Sequence, residues 1–298
     1  MPSFTETLVA QARRLAGVVS ETLPDDPLDR RDAAFIAEEQ ELLGRACDLW
    51  YAPDLLGLDN LPPGRALVVG THNGGFIAPD MFSLMVGFWK HFGAERQAYG
   101  LAHDFVFRLP WAGRWLSKLG AVPASQGNAQ RLLERDHAVL VYPGGDRDAY
   151  KPFRERHRVK FAGRRGFIRL ALRTQAPIVP VISVGAHEVF YILTDGADLA
   201  DRLGLKKRFR MDVLPISLAL PWGVSVGAMS PFIPVPTKIR VRVLPPIDLK
   251  LPPRAADDDG AVQAAMDRVQ GGMQAALDAL VAEGGFGAQA RVRGEGTR

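Results

Sequence analysis

Residues 66–80 read ALVVGTHNGGFIAPD, and this stretch carries the sequence signals that indicate the fold class. The apolar run over 66–71 predicts a buried strand, because it is short and bounded by turn residues. Gly74 and Gly75 predict a tight turn, and Pro79 suits the first position of a helix predicted over 79–92. A strand, a polar turn and a helix in this order are typical of an α/β protein.

The same alternation continues along the chain. Further strands are predicted over 97–101, 138–142, 178–184 and 239–244, and further helices over 111–119, 125–135, 163–174 and 257–282. We therefore expect an α/β fold with a mixed, largely parallel sheet flanked by helices, preceded by an N-terminal amphipathic helical pair over about 4–19 and 32–49. The predicted regions are an N-terminal helical region (1–60), an α/β domain (61–283) and a flexible tail (284–298).

The overall composition excludes several classes of protein. Of 298 residues, 37 are Lys or Arg, 33 are Asp or Glu, and 47% are hydrophobic, which is typical of a folded globular protein rather than a disordered one. The single cysteine, Cys47, excludes an intrachain disulfide, and no Cys/His cluster has the spacing of a zinc site. Residues 1–23 lack a signal-peptide pattern, so we expect a cytoplasmic protein.

Charge is unevenly distributed along the chain. The formal charge is +4, but residues 147–173 contain ten basic and two acidic residues, so the rest of the chain is acidic. This basic segment favours an anionic partner, either a phosphate-bearing lipid or cofactor or a membrane surface. No nucleic-acid-binding motif occurs, so we expect no nucleic acid partner.

The longest uncharged stretch covers residues 213–237. Five prolines interrupt it, so it cannot form a membrane-spanning helix; they are Pro215, Pro221, Pro231, Pro234 and Pro236. We interpret the stretch as a loop. Two alternatives remain open: the loop covers the core, or it faces a membrane.

The first candidate site follows the first strand. His72 lies at the strand end and Asp80 at the start of the next helix, a pattern that suits a general base and its orienting carboxylate. Histidine is fitted to this task because its ordinary pKa is close to neutrality. The alternative is structural, with His72 satisfying the turn and Asp80 capping the helix.

The second candidate site follows the strand predicted over 138–142. Glycines such as Gly144 and Gly145 allow backbone N–H groups to approach a phosphate or an oxyanion, and Arg147 can bind one with two hydrogen bonds. The alternative is a tight turn with an exposed salt bridge. A third strand end, over 183–188, adds polar groups at the same edge of the sheet, where α/β proteins bind their ligands.

Together, the three strand ends resemble the lysophospholipid and glycerolipid acyltransferase superfamily, and more closely its monoacylglycerol and diacylglycerol acyltransferase-like branch. The usual first motif separates His and Asp by four residues, whereas His72 and Asp80 have the longer gap of the branch variant. The string PGGDRD over 143–148 is similar to the branch motif Pro-Gly-Gly-x-Arg-Glu, with Asp148 in place of the glutamate. Residues 164–171 and 176–181 are similar to the fourth conserved region.

This resemblance implies a reaction. His72, oriented by Asp80, would deprotonate the hydroxyl of a lipid acceptor, which attacks an acyl thioester carried by coenzyme A or an acyl carrier protein. Substrate binding falls to the two glycine turns, at Asn73, Gly74, Gly75, Gly144, Gly145 and Arg147. No metal and no cofactor beyond the thioester co-substrate are expected. The segments 147–173 and 213–235 would place the protein on the inner face of the membrane, and the second would admit the acyl chain.

Two rival functions are weighed against this hypothesis. Residues 223–227 match the Gly-x-Ser-x-Gly elbow of serine hydrolases, with Ser225 as nucleophile. In that fold the histidine follows the serine, yet all six histidines precede Ser225, so the order argues against it. The non-enzymatic rival is a peripheral protein that binds lipid and performs no chemistry.

Overall fold

The computed structural model of the protein describes residues 17–18, 20–205, 211–228 and 232–293. The predicted helix over about 4–19 lies outside the described residues except for Gly17 and Val18. The second predicted helix is present as Ala33–Tyr51, and the Asp32 carboxylate caps its first turn by accepting the N–H of Phe35 at 3.0 Å.

The centre of the fold is a seven-stranded sheet with the order β1-β10-β6-β2-β5-β3-β4. Every pair of neighbours is parallel except β10 and β6, which are antiparallel, so the predicted mixed and largely parallel sheet is confirmed. Its strands are β1 (Asp54–Leu56), β2 (Ala66–Gly70), β3 (Ala98–Ala102), β4 (Ala121–Pro123), β5 (Ala138–Val141), β6 (Ile178–Val184) and β10 (Arg240–Val243).

Helices cover both faces of this sheet. Those of the described residues are α1 (Ala33–Tyr51), α2 (Pro79–Phe92), α3 (Asp104–Phe107), α4 (Pro110–Lys118), α5 (Gln126–Glu134), α6 (Gly145–Ala149), α7 (Gly166–Thr174), α8 (Ala197–Arg202), α9 (Asp259–Glu283) and α10 (Gly287–Arg293). Short 3-10 turns at Gly75–Ile77 and Ala186–Val189 follow β2 and β6.

The alternation of side chains along the central strands divides the core into two layers. Leu67 and Val69 of β2 pack with α5, α7 and α9 in one cluster of buried residues. Ala66 and Val68, the intervening residues, belong to a second cluster together with α1 and α2. Strands buried on both faces are expected in a parallel sheet, and this explains why β2 is apolar throughout and β6 is apolar except for Ser183.

The uncharged stretch 213–237 is not the loop that we expected. Residues 216–219 and 223–226 form strands β8 (Ile216–Ala219) and β9 (Gly223–Val226), which join β7 (Tyr191–Thr194) in a separate antiparallel sheet of order β7-β8-β9. The prolines of this stretch lie outside these strands, at 215, 221, 231, 234 and 236, so they interrupt a helix without preventing a hairpin.

The predicted flexible tail also differs from the structure. Gly287–Arg293 form helix α10, and Gly287 exchanges two backbone hydrogen bonds with Lys238 at 2.9 and 3.1 Å. The Glu188 carboxylate accepts the N–H of Ala288 at 3.3 Å. These contacts hold the first part of the tail against the domain, while 294–298 lie outside the described residues.

Candidate active site

The carboxyl ends of β5, β2 and β6 meet at one edge of the sheet, because β2 lies between the other two strands. The three strand ends singled out in the sequence are therefore neighbours. Ligands of α/β proteins bind at this edge.

The loop that carries His72 turns sharply from β2 into α2. Gly74 and Gly75 both have left-handed backbone conformations, with φ of 76° and 60°. A Cβ atom on Gly74 would lie 2.5 Å from the ring of Pro79 and 2.8 Å from the carbonyl oxygen of Ala186. The turn thus requires glycine for both its conformation and its close packing.

Asp80 is buried at the start of α2 and belongs to a compact polar network. Its Oδ2 accepts hydrogen bonds from Ser183 Oγ at 2.9 Å and from Asn73 Nδ2 at 3.2 Å, and Asn73 Nδ2 also donates to Ser183 Oγ at 3.0 Å. Burial raises the pKa of Asp80 to about 6, although these hydrogen bonds oppose the rise.

His72 is partly buried, with its ring centroid 5.0 Å from that of Tyr142. Burial, followed by the positive charge of Lys151, lowers its pKa to about 4, so the imidazole is neutral at pH 7 and free to accept a proton. Among the described residues its Nδ1 atom has no hydrogen-bond partner. The structure therefore brings His72 and Asp80 to the same edge, where Asp80 bonds to the loop around His72 rather than to this ring nitrogen.

The second glycine turn packs tightly between two segments. A Cβ atom on Gly144 would lie 2.0 Å from the carbonyl oxygen of Lys160, and Gly145 has a φ of 54°. Arg164 braces the turn, since its guanidinium donates to the carbonyl of Gly144 at 3.1 Å and to Asp146 at 3.2 Å. Arg147, one residue beyond, is exposed to solvent.

Asp148 connects the two turns, a role that the sequence did not reveal. Its carboxylate is fully buried and accepts the backbone N–H of His72 at 2.6 Å through Oδ2. The other oxygen, Oδ1, pairs with the equally buried Lys151 at 2.6 Å. The only local sign was the spacing of three residues between Asp148 and Lys151, which is common in solvated helices.

Two further residues at this edge carried little signal in the sequence. Ser183, which bonds to Asp80, was noted only as one polar group of the third strand end; it is the sole polar side chain within the apolar strand β6. His187 is buried, its Nε2 lies 2.8 Å from the carbonyl oxygen of Lys151, and its Nδ1 accepts the N–H of Gly74 at 3.5 Å. Burial is the main cause that lowers its pKa to about 3.

The basic segment 147–173 is largely neutralised within the fold. Eight of its ten basic side chains lie within 4 Å of a carboxylate: Lys151, Arg154, Arg156, Lys160, Arg164, Arg165, Arg169 and Arg173. Several partners come from distant segments, such as Asp212, Asp257 and Asp259. The surface charge is therefore smaller than the sequence suggested, with Arg147 and Arg158 the exposed residues that have no such contact within the described chain.

Ser225 does not lie at a strand-to-helix elbow. It is in the middle of β9, buried, and its Oγ has no hydrogen-bond partner among the described residues. A serine hydrolase needs its nucleophile at an exposed elbow with a histidine beside it. The structure thus removes the hydrolase hypothesis.

The fold of the chain is shared with a solved α/β acyltransferase. The crystal structure of the 1-acyl-sn-glycerophosphate (LPA) acyltransferase PlsC from Thermotoga maritima has the same fold, with a TM-score of 0.50 and 16% sequence identity over 89% of this chain and 88% of that one. The sequence profile of the diacylglycerol acyltransferase family matches residues 46–267, so the chain belongs to this family.

Similar proteins occur in bacteria and in mammals. An uncharacterized protein of Mycobacterium tuberculosis is 36% identical over 199 residues, which is 66% of this chain and 52% of that protein. The mouse DGAT1/2-independent enzyme synthesizing storage lipids is 26% identical over 232 residues, covering 77% of this chain and 65% of the enzyme. The chain spans about half the length of the mycobacterial relatives that it matches. None of its described helices combines the length and apolarity needed to cross a bilayer.

Proposed function

We propose that the protein transfers a fatty acyl group from a thioester to a hydroxyl of a glycerolipid. The observation that carries this proposal is the position of His72 at the ligand-binding edge of the sheet, where its amide bonds to Asp148 after the second glycine turn. The two glycine turns resemble those of acyltransferases. The names of the similar proteins, a storage-lipid enzyme and a lysophosphatidic acid acyltransferase, support a glycerolipid acceptor.

The proposed step needs only His72 and the two substrates. Because Nδ1 is enclosed by protein, we assign the basic role to Nε2. Nε2 takes the proton of the acceptor hydroxyl while the hydroxyl oxygen attacks the thioester carbon. The C–S bond then breaks as the tetrahedral intermediate collapses. The thiolate of coenzyme A or of an acyl carrier protein then recovers the proton from the imidazolium.

Other residues serve this step by position. We propose that Asp80 orients His72 through Asn73 and Ser183, and that it favours the imidazolium by its charge. The backbones of Gly74, Gly75, Gly144 and Gly145 would approach the substrates closely. Arg147 is exposed beside the second turn and would bind a phosphate of the donor or of the acceptor.

The proposal also includes a membrane surface, which is the outer face of the β7-β8-β9 sheet. Tyr191, Leu218 and Val224 lie opposite one another across its three strands and are exposed, whereas Ile192, Ser217 and Ser225 occupy the buried face. The apolar face comprises Tyr191, Leu193, Leu218, Leu220, Trp222, Val224 and Val226. A contiguous apolar face of this kind marks an interaction surface.

Two observations favour a lipid bilayer as the occupant of the apolar face. First, the sheet that carries this face adjoins the candidate site, since the buried Phe190, directly before β7, packs on Gly75 of the His72 loop. Second, the Phe153 ring lies 4.4 Å from the Tyr191 ring, and the next residue, Arg154, borders the face. Arg154 is 78% exposed and only 3.7 Å from the adjacent Glu155, a weak surface pair that leaves its charge available to lipid. Apolar residues with a basic rim fit an anionic membrane.

The enzymatic proposal is tested by incubating the purified protein with labelled acyl-coenzyme A or acyl carrier protein. The acceptor panel contains lysophospholipids, glycerol phosphate, monoacylglycerol and diacylglycerol. We expect transfer to at least one acceptor and a loss of about 10²–10⁴-fold in kcat for His72→Ala with an unchanged fold. Binding of lipid without turnover would show instead a non-catalytic lipid-binding protein.

The role of Arg147 has its own test. Arg147→Ala should raise KM for the phosphate-bearing substrate with little change in kcat, because an exposed arginine that binds a phosphate supplies uniform binding. An unchanged KM for both the donor and the acceptor would remove this role.

The membrane proposal is tested by sedimentation with vesicles of phosphatidylcholine and phosphatidylglycerol. Leu218→Asp combined with Val224→Asp should abolish sedimentation, whereas Leu49→Asp, which changes a similarly exposed residue on α1, should not. An equal loss of vesicle sedimentation in the double variant and in Leu49→Asp would contradict the proposal. Concentration-dependent dimerisation without vesicle binding would assign the apolar face to a second copy of the chain.

A further inference from the structure

The backbone of His72 is held on both sides by one buried ion pair. Asp148 Oδ2 accepts the His72 N–H at 2.6 Å, and Lys151 Nζ donates to the His72 carbonyl at 3.3 Å. The two side chains pair with each other at 2.6 Å and have no exposed surface. A buried ion pair is rarely the best choice for stability alone, because burying the two charges is costly.

The turn after β6, which carries His187, is hydrogen-bonded to the same ion-pair segment. The carbonyl of Lys151 lies 2.8 Å from His187 Nε2, and His187 Nδ1 accepts the N–H of Gly74. With one nitrogen donating and the other accepting, His187 is the neutral tautomer with its proton on Nε2. The hydrogen bonds therefore close a ring that runs from His72 through Asp148, Lys151 and His187 to Gly74, two residues beyond His72.

We propose that Asp148 and Lys151 are positioning residues, which fix the main chain of His72 from both sides. The inference rests on the proposed role of His72 as general base. Asp148 restrains the amide of His72, Lys151 restrains its carbonyl, and the uncompensated part of the Lys151 charge disfavours the imidazolium. General-base catalysis is sensitive to such positioning, since small displacements of a reacting group are costly in rate.

Other titratable groups also face His72. Tyr142 approaches from the end of β5 and His187 from the turn after β6, whereas Asp80 of α2 bonds to Asn73, the residue after His72. The pKa of His72 is lowered chiefly by burial, and Lys151 comes next. A change at Lys151 leaves these other groups in place, so its own effect can be measured.

The first test compares Asp148→Asn with Asp148→Ala. Both substitutions leave Lys151 without its counter-charge, but only asparagine keeps an oxygen that can accept the His72 N–H. We expect kcat per folded molecule to be at least about tenfold lower in Asp148→Ala than in Asp148→Asn, with KM within about twofold. Equal kcat in the two folded variants would overturn the positioning role.

The second test does not depend on activity. The double variant Asp148→Asn with Lys151→Met leaves no charge unpaired. It can therefore be measured even where the single variants fail to fold. The titration of His72 is followed by NMR with ¹⁵N-labelled histidine, and its signal is assigned with His72→Gln. We expect the midpoint of His72 to rise, because the positive charge of Lys151 is one of the causes that lower it.

The outcomes separate this inference from the proposed function. If the His72 midpoint rises in a protein that transfers no acyl group to any acceptor, the function is wrong and the control of His72 by Lys151 stands. If the protein is active and the double variant keeps both the wild-type kcat and the wild-type His72 midpoint, the inference is overturned and the function stands.

Discussion

The seven-stranded and three-stranded sheets alternate their side chains in the same way but are covered differently. In β2 and β6 successive residues enter two separate cores, so both faces are buried. In β8 and β9 one face carries the buried Ser217 and Ser225, whereas the other carries exposed residues such as Val224 at 63% exposure. Similar apolar residues thus stabilise the fold in the first sheet and form a surface in the second.

The largest expected effect concerns stability. Ile182→Ala in β6 should lower the free energy of unfolding by about 2–5 kcal/mol, because the fully buried side chain leaves a cavity. Val224→Ala in β9 should change it by less than about 0.5 kcal/mol, because the side chain is exposed. Urea denaturation measures both. A similar loss in the two variants would show that the apolar face is covered in the protein in solution.

A matched pair of buried serines gives an intermediate effect. Ser183 in β6 donates to Asp80 and accepts from Asn73, so Ser183→Ala should cost about 1–3 kcal/mol. Ser225 in β9 has no hydrogen-bond partner within the described chain, so Ser225→Ala should cost nothing or stabilise the protein. If both substitutions prove equally costly, the polar network at the site edge contributes no special stability.

A third effect is a dependence of stability on pH at the edge of the large sheet. His187 has a folded-state pKa of about 3, below its ordinary value of 6.5, so the unfolded chain binds its proton more tightly. Stability should therefore fall as the pH decreases below about 6.5. His187→Gln should reduce this slope by about 1.4 kcal/mol per pH unit, as measured by urea denaturation between about pH 6 and pH 4. An identical slope in both proteins would mean that His187 is not buried in its neutral form.

Much of the large sheet could be predicted because its signals are local. Pro79 and the following apolar period predict α2 with the bounds that the structure has, and the apolar run 178–184 coincides with β6. The meeting of three strand ends followed from the parallel topology. His72, Gly74, Gly75, Gly144 and Gly145 all lie at this edge, although their roles in catalysis and binding remain proposals.

What could not be predicted depends on distant pairs. The bond between Asp148 and the His72 amide joins residues 76 positions apart, and Ser183 reaches Asp80 across 103 positions. The periodicity of residues within one strand or helix carries no information about such contacts. In the small sheet, the prolines of 213–237 indicated irregular structure and masked the short alternation of β8 and β9. The charge of the basic segment was misleading because its partners, such as Asp257 and Asp259, lie far along the chain.

The edge of the large sheet imposes an order on folding while the chain is being synthesised. Among the described residues, strand β1 pairs with β10 alone, and the Asp54 carboxylate of β1 pairs with Arg240 and Arg242 of β10 at 2.9 and 3.0 Å. Residues 54–56 therefore leave the ribosome nearly two hundred residues before their partner strand exists. During that interval β1 and the preceding helix α1 lack the strand that joins them to the sheet, and the edge of β6 that later pairs with β10 is unpaired. Such long-range closure slows folding, so a nascent chain of this protein stays open at this edge until β10 has emerged.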